Sequence, residues 1–216
     1  MFINVGGVPG VGKTTITKEV EKLARKEGYP LERISGLPIL LELSGARTAE
    51  ELRALPENLR HELRPEMYRR LYESDKRDPN TIRLGDGHFC MFDVDGKEYG
   101  VREIQPGDNE QMLAFVVLTT KPESILRRRI AEQQNRGDRQ LNIDFIITEQ
   151  RLEIEIARKQ ALELGIPFIE LHNDDEQERF SFGREKMSYS RETEKGERAS
   201  AELFQQIKNL TQGRMR

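Results

Sequence analysis

The chain has 216 residues, 36% hydrophobic and 34% charged, with a formal net charge of −3 and one cysteine. That length supports one α/β domain with a real core and a small lid. The slightly acidic balance disfavours nucleic acid as the main partner. No apolar run approaches the roughly 20 residues of a membrane span, and the lone Cys90 excludes an internal disulfide and points to a cytoplasmic protein. A signal peptide is not expected, because the chain opens directly on a strand and a loop.

The short β-branched run "FINV" reads as a first strand. It leads into "GGVPGVGKTT" (6–15), which fits G-x-x-x-x-G-K-[ST] with Gly7, Gly12, Lys13 and Thr14 at the fixed positions. The physical content of that pattern is a phosphate cradle. Glycines let backbone N–H groups approach phosphate oxygens, and the helix that follows adds the positive end of its dipole. Gly7, Pro9, Gly10, Val11, Gly12, Lys13, Thr14 and Thr15 are therefore the expected nucleotide-binding residues. Within them Lys13 serves the β/γ-phosphates and the Thr14 hydroxyl serves Mg2+. The helix is expected to put Ile16, Val20, Leu23 and Ala24 near one face and to stop at Gly28.

"LERISG" (31–36) reads as a second strand. Residues 47–76 carry helical material, with Thr48 as N-cap, Glu51 completing a capping box, and Pro56 and Pro65 marking helix breaks or first turns. "TIRLGDGHFCMF" (81–92) reads as a third strand ending near Asp86, and Asp95-Gly96 marks a hairpin. "MLAFVVLTT" (112–120) is continuously apolar, as in a buried parallel strand. A helix then enters an arginine-rich loop, a long helix spans 142–165 and ends at Gly165, and "IPFIEL" (166–171) is the last strand. Alternating strands and helices predict a doubly wound parallel sheet with helices on both faces. Residues 174–198 are polar and without clean periodicity. They read as a solvated, mobile segment, or as an arm packing through Phe180, Phe182, Met187 and Tyr189. "ASAELFQQIKNL" is amphipathic and is expected to dock as a terminal helix.

A phosphate cradle serves GTP switches, mechanical ATPases and phosphoryl-transfer kinases. The switch motifs D-x-x-G and N-K-x-D have no match; "DGHF" and "HNDD" fit neither. What the chain offers is one aspartate, Asp86, closing the third strand, and arginines at 127–129, 136 and 139. In-line phosphoryl transfer spreads negative charge over oxygens that need cations around them, and the planar, permanently charged guanidinium suits that task. Lys13, Arg128, Arg136 and Arg139 are thus expected to bracket the transferring group, on a loop that closes to exclude water. His61, His88 and His172 are scattered, which argues against a metal cluster; His88, two residues past Asp86, is a candidate to face the site. Asp93 and Asp95 read as turn residues.

In order and spacing, "GVPGVGKTT" (7–15), "ARTAEELRAL" (46–55), "RLGDGH" (83–88), "YGVRE" (99–103), "KPESILRRR" (121–129), "NRGDR" (135–139), "IARKQA" (156–161) and "LHNDD" (171–175) resemble the archaeal-type adenylate kinases, within the nucleoside monophosphate kinases of the P-loop group. The resemblance implies a P-loop NTPase fold and transfer of the γ-phosphoryl from Mg·ATP to a nucleoside monophosphate, AMP first among them. It implies Lys13, Arg128, Arg136, Arg139 and Arg158 at the phosphates, Arg53 and Arg102 on the acceptor phosphate, and Asn173 by the donor adenine. Asp86 and Thr14 fall at Mg2+. Residues 1–175 would form the kinase domain, with a lid at about 130–142 and a helical acceptor region at about 36–76. Residues 176–198 would be a polar insertion, and 199–216 a helix packing on the same domain. Two alternatives stay open: a kinase of another small molecule or of a polynucleotide 5′ end, and a nucleotide-sensing protein without turnover. Oligomeric state is also open, a homo-oligomer included.

Overall fold

The computed structural model describes residues 1–92, 98–132, 140–173 and 192–212. In chain order, β1 (Phe2–Gly6) runs through the phosphate loop into α1 (Lys13–Lys26) and β2 (Leu31–Ile34). Helices α2 (Leu37–Ser44), α3 (Ala49–Ala54) and α4 (Glu57–Arg77) lead to β3 (Ile82–Asp86). The hairpin β4 (Cys90–Phe92) and β5 (Glu98–Val101) precedes α5 (Asp108–Gln111) and β6 (Met112–Thr119). Then follow α6 (Pro122–Glu132), α7 (Ile143–Leu164), β7 (Phe168–His172) and α8 (Glu192–Thr211). The expected aromatic contacts of residues 180–189, and the turn at Asp93 and Asp95, lie outside the described residues.

The main sheet has five parallel strands in the order β2-β3-β1-β6-β7. All eight residues of β6 are buried, because both of its faces are covered. Side chains alternate across the sheet. Val116 and Leu118 join Ile3, Val5, Ile16 and Val20 under α1 and α8, while Phe115 and Val117 join Phe2, Phe89, Ala157 and Ala161 under α7 and α4. Each large apolar side chain buried this way contributes roughly 1.5–3 kcal/mol. Helix α8 docks on α1 through Ala199, Leu203, Phe204 and Ile207, with Tyr29 edge-on to Phe204 at 5.4 Å. It begins at Glu192 rather than at residue 199, since its first turns lack the apolar spacing that makes a docked helix visible in sequence.

Local signals account for most boundaries. Asn142 caps α7 by accepting from Phe145 N, and Gly165 closes it in the left-handed region. Thr48 caps α3 as expected, but Glu51 reaches back to Arg47 N at 2.7 Å, one residue beyond the usual capping-box partner. Pro56 separates α3 from α4, whereas Pro65 lies inside α4 and does not end it. The cost of an internal proline, about 3 kcal/mol, is offset by the packing of Met67, Tyr68, Leu71 and Tyr72 along the same helix. The expected third strand divides: β3 stays in the sheet to Asp86, and Cys90–Phe92 pairs instead in the separate hairpin.

Strand β1 lies between β3 and β6, so connections leave it in opposite directions and a crevice opens at its carboxyl end. The phosphate loop sits in that crevice. Among the described residues no helix is long and apolar enough to cross a membrane.

Candidate active site

The loop after β1 depends on backbone shapes that only glycine adopts readily. Gly7 has φ +134°, and a Cβ there would lie 2.7 Å from Leu118 O. Gly12 has φ +103°, and a Cβ there would lie 2.8 Å from Asn173 Nδ2. Gly12 is also the N-cap of α1; no side chain caps the helix and its first turn holds no acidic residue. The open N–H groups and the dipole of a 14-residue helix therefore face the loop, an arrangement that attracts phosphate. The Lys13 ammonium folds back onto the carbonyls of Gly7 and Val8. Thr14 Oγ1 donates to Asp86 Oδ2 at 3.4 Å. A hydroxyl and a carboxylate beside a phosphate cradle are hard oxygen donors of the kind Mg2+ takes. Thr15 is exposed at the start of α1, with its methyl beside Gly196 of α8.

The other residues singled out from sequence take several positions. Arg128 Nη1 reaches the loop and donates to Gly10 O and Val11 O at 3.1 Å each. Asn173, expected beside the adenine, is buried, and its Nδ2 donates to Val11 O at 2.9 Å; here it is a strut under the loop. Arg158 is not brought to the loop. It is exposed on α7, 3.4 Å from Glu170 and over the Phe168 ring at 5.1 Å. Arg102 is buried: Nη2 donates to Asp108 Oδ2 at 2.7 Å, and the guanidinium lies between the rings of Tyr68 and Phe115. Burial works against its charge, but Tyr68 and Asp108 outweigh burial and hold it above its ordinary range. The Arg53 side chain, Arg136 and Arg139 lie outside the described residues.

Sequence reasoning missed the inner face of α7. Its buried positions 146, 149, 150, 153, 157, 160 and 161 follow helical spacing, yet four of them are Glu149, Gln150, Glu153 and Gln160. Each has a backbone or ionic task. Gln150 pairs with both the N–H and C=O of Thr120 at 3.1 Å. Glu149 Oε2 binds Arg129 Nη2 at 2.6 Å, and Arg129 Nε donates to Pro9 O at 3.0 Å. Gln160 Nε2 donates to Arg102 O. Glu153 accepts from Gly7 N at 2.8 Å through Oε1, and from Phe89 N at 2.9 Å and Cys90 N at 2.6 Å through Oε2. Burial pushes the Glu153 carboxyl above the usual range, against the opposing pull of Lys13 and the three N–H donors. The available signal was a polar residue recurring on an otherwise apolar helical stripe.

A cleft of about 180 Å³ opens next to Asp86, lined among others by His61, Arg64, Tyr68, Gly87, His88 and Arg102. His88 lines this cleft, with Nδ1 3.8 Å from Glu153 Oε1. His61 Nε2 lies 3.1 Å from Glu103 Oε1. Helix α4 and the segments flanking the hairpin thus form its wall.

Across 96% of this chain and 98% of the other, the fold is similar to the crystal structure of shikimate kinase from Bacteroides thetaiotaomicron, with a TM-score of 0.51 and 20% identity. That likeness, the parallel sheet and the loop geometry together give the P-loop NTPase fold. A family model described as an AAA domain matches residues 6–146, well over half the chain. The chain belongs to this AAA-domain family of P-loop proteins.

Proposed function

We propose that the protein is an ATP-dependent phosphotransferase that moves the γ-phosphoryl group of Mg·ATP to a small acceptor bound in the Asp86-side cleft, with a nucleoside monophosphate, AMP first, as the acceptor. One observation carries this reading: the phosphate loop and the cationic cleft meet at Asp86, whose carboxylate is 3.4 Å from Thr14 on one side and whose next two residues line the cleft on the other. A phosphotransferase needs a second pocket beside its phosphate loop, and a protein that only senses nucleotide does not.

In this reading the open N–H groups at the start of α1 bind the donor phosphates, and Lys13 turns from its two loop carbonyls to the β/γ oxygens as charge develops there. Arg128 stiffens the loop through Gly10 O and Val11 O and keeps its positive charge beside the phosphates. Mg2+ held by Thr14 and Asp86 would neutralise charge between the β and γ groups. Arg64 gives the acceptor's anionic end a cationic wall, His61 adds an imidazole beside it, and Tyr68 offers a ring face.

A second reading replaces the nucleotide with a smaller hydroxy acid, the acceptor class in the name of shikimate kinase. The cleft volume of about 180 Å³ favours it, since typical ligand clefts span roughly 300–1,000 Å³, and so does the engagement of Arg102 with Asp108. The test is ADP release coupled to a dye, run with AMP, CMP, UMP, GMP, shikimate and no acceptor. AMP-dependent release supports the first reading and shikimate-dependent release the second. Release equal in all wells, or none in any, rejects phosphotransfer to a small acceptor.

A further inference from the structure

We propose that Glu153 is a positioning residue that holds the donor loop and the acceptor wall in register through a single carboxylate. The term acceptor rests on the phosphotransfer reading above; the linkage itself does not. Strands β1 and β3 are laddered together as far as Gly87 N, which donates to Val5 O at 3.0 Å. Beyond that point the two strands diverge, one into the phosphate loop and the other toward the cleft. The carboxylate of Glu153 fills the gap where the ladder ends. Oε1 takes Gly7 N, the first N–H of the loop, and Oε2 takes Phe89 N and Cys90 N, directly after the cleft residues Gly87 and His88. Phe89 then accepts from Arg102 N at 2.8 Å through its carbonyl, so the same connection reaches the far side of the cleft.

The local packing leaves little slack. Glu153 is 1% exposed. A Cβ on Gly6 would lie 2.4 Å from the Phe89 ring and 3.3 Å from Glu153 Oε1. A shift of the acceptor wall is therefore transmitted to the loop, and the reverse. In-line transfer depends on donor and acceptor held within a fraction of an ångström. A group that ties both walls to one rigid helix sets that distance without touching either substrate.

Glu153→Gln in the full chain tests this. An amide has one carbonyl oxygen and two N–H donors. The oxygen keeps the Phe89–Cys90 pair, because turning the amide NH2 toward two N–H donors is worse than turning it toward one. Gly7 N then loses its acceptor. The expected result is an asymmetric loss: Mg·ADP affinity by calorimetry falls about tenfold, kcat falls tenfold or more, and the acceptor KM changes less than about threefold. Mg·ADP affinity and kcat both within twofold of wild type overturn the proposal. So does a lower melting temperature with an unchanged kcat per folded molecule, which is the mark of a purely structural carboxylate. Should the variant fail to fold, hydrogen exchange on the wild-type protein decides. Mg·ADP is expected to slow exchange at Phe89 and Cys90 together with Gly7; protection confined to the phosphate loop overturns the linkage. If the wild-type protein transfers phosphate to no acceptor, phosphotransfer fails, while the affinity and exchange measurements still judge Glu153.

Discussion

Arg129→Met offers the most direct test of how the phosphate loop is held. The Arg129 side chain is 2% exposed, with Nη2 2.6 Å from Glu149 Oε2, and Glu149 is itself 6% exposed. The same guanidinium donates to Pro9 O at 3.0 Å and Gln140 O at 3.1 Å. Removing it strands a buried carboxylate, which costs about 3–5 kcal/mol. Against a total stability of roughly 5–15 kcal/mol, that is a large fraction. For a chain of this size each kcal/mol is about 2–4 °C in Tm, so a fall of roughly 6–20 °C is expected. Urea unfolding followed by circular dichroism reads the same loss as a lower midpoint at constant slope. Replacing both partners, Arg129→Met with Glu149→Leu, removes the stranded charge and should recover about 2 kcal/mol or more of the single-variant loss. The two carbonyls left without their donor keep recovery from being complete. A single variant costing less than about 1 kcal/mol, or a double variant as damaged as the sum of the singles, would refute the argument that this buried pair pins Pro9.

Three further outcomes follow from the site. Lys13→Ala should lower turnover by roughly two to four decades in the ADP-release assay while the circular dichroism spectrum stays unchanged; near-normal turnover removes Lys13 from the chemistry. Asp86→Asn should raise the Mg2+ concentration needed for half-maximal rate, with partial recovery at high Mg2+ in a metal titration; an unchanged Mg2+ dependence takes Asp86 out of the metal site. Arg64→Ala should raise the acceptor KM by about 10- to 200-fold with little change in Tm, whereas Arg102→Ala should lose about 3–5 kcal/mol of stability by stranding the fully buried Asp108. The pair is read by acceptor titration and thermal melting side by side, and a stable Arg102→Ala protein with a selective acceptor defect reverses the two assignments.

Sequence alone revealed the elements whose physics is local. The loop is a pattern of glycines at strained φ, β6 is a buried run, and α7 is a long helical stretch closed by the left-handed Gly165. The roles of individual polar residues were much less visible, because one side chain in one kind of segment has several possible partners. Arg102 and Arg158 both follow apolar stretches, yet one is sealed against Asp108 and the other stacks on Phe168 in solvent. Asn173 at the end of β7 gives no sign in sequence that its amide turns toward Val11 O.

The greatest loss of legibility is on α7, where counting apolar residues at helical spacing treats Glu149, Gln150 and Glu153 as noise. Their placement has a physical cause. A parallel sheet satisfies backbone groups only while its strands stay paired. To make a crevice, β1, β3 and β6 must part at their carboxyl ends, and parting leaves buried N–H groups at Gly7, Phe89, Cys90 and Thr120 in need of acceptors. An apolar helix over that edge would bury them unpaired, at about 1–3 kcal/mol each. The helix covering the crevice therefore carries acceptors on its inner face at the level where the ladder ends, and lays Ala157 and Ala161 over the sheet below, with Gln160 between them turned to Arg102 O. The polar stripe on α7 is thus the counterpart of the crevice itself, and the carboxylate that closes the ladder is held where donor and acceptor walls meet.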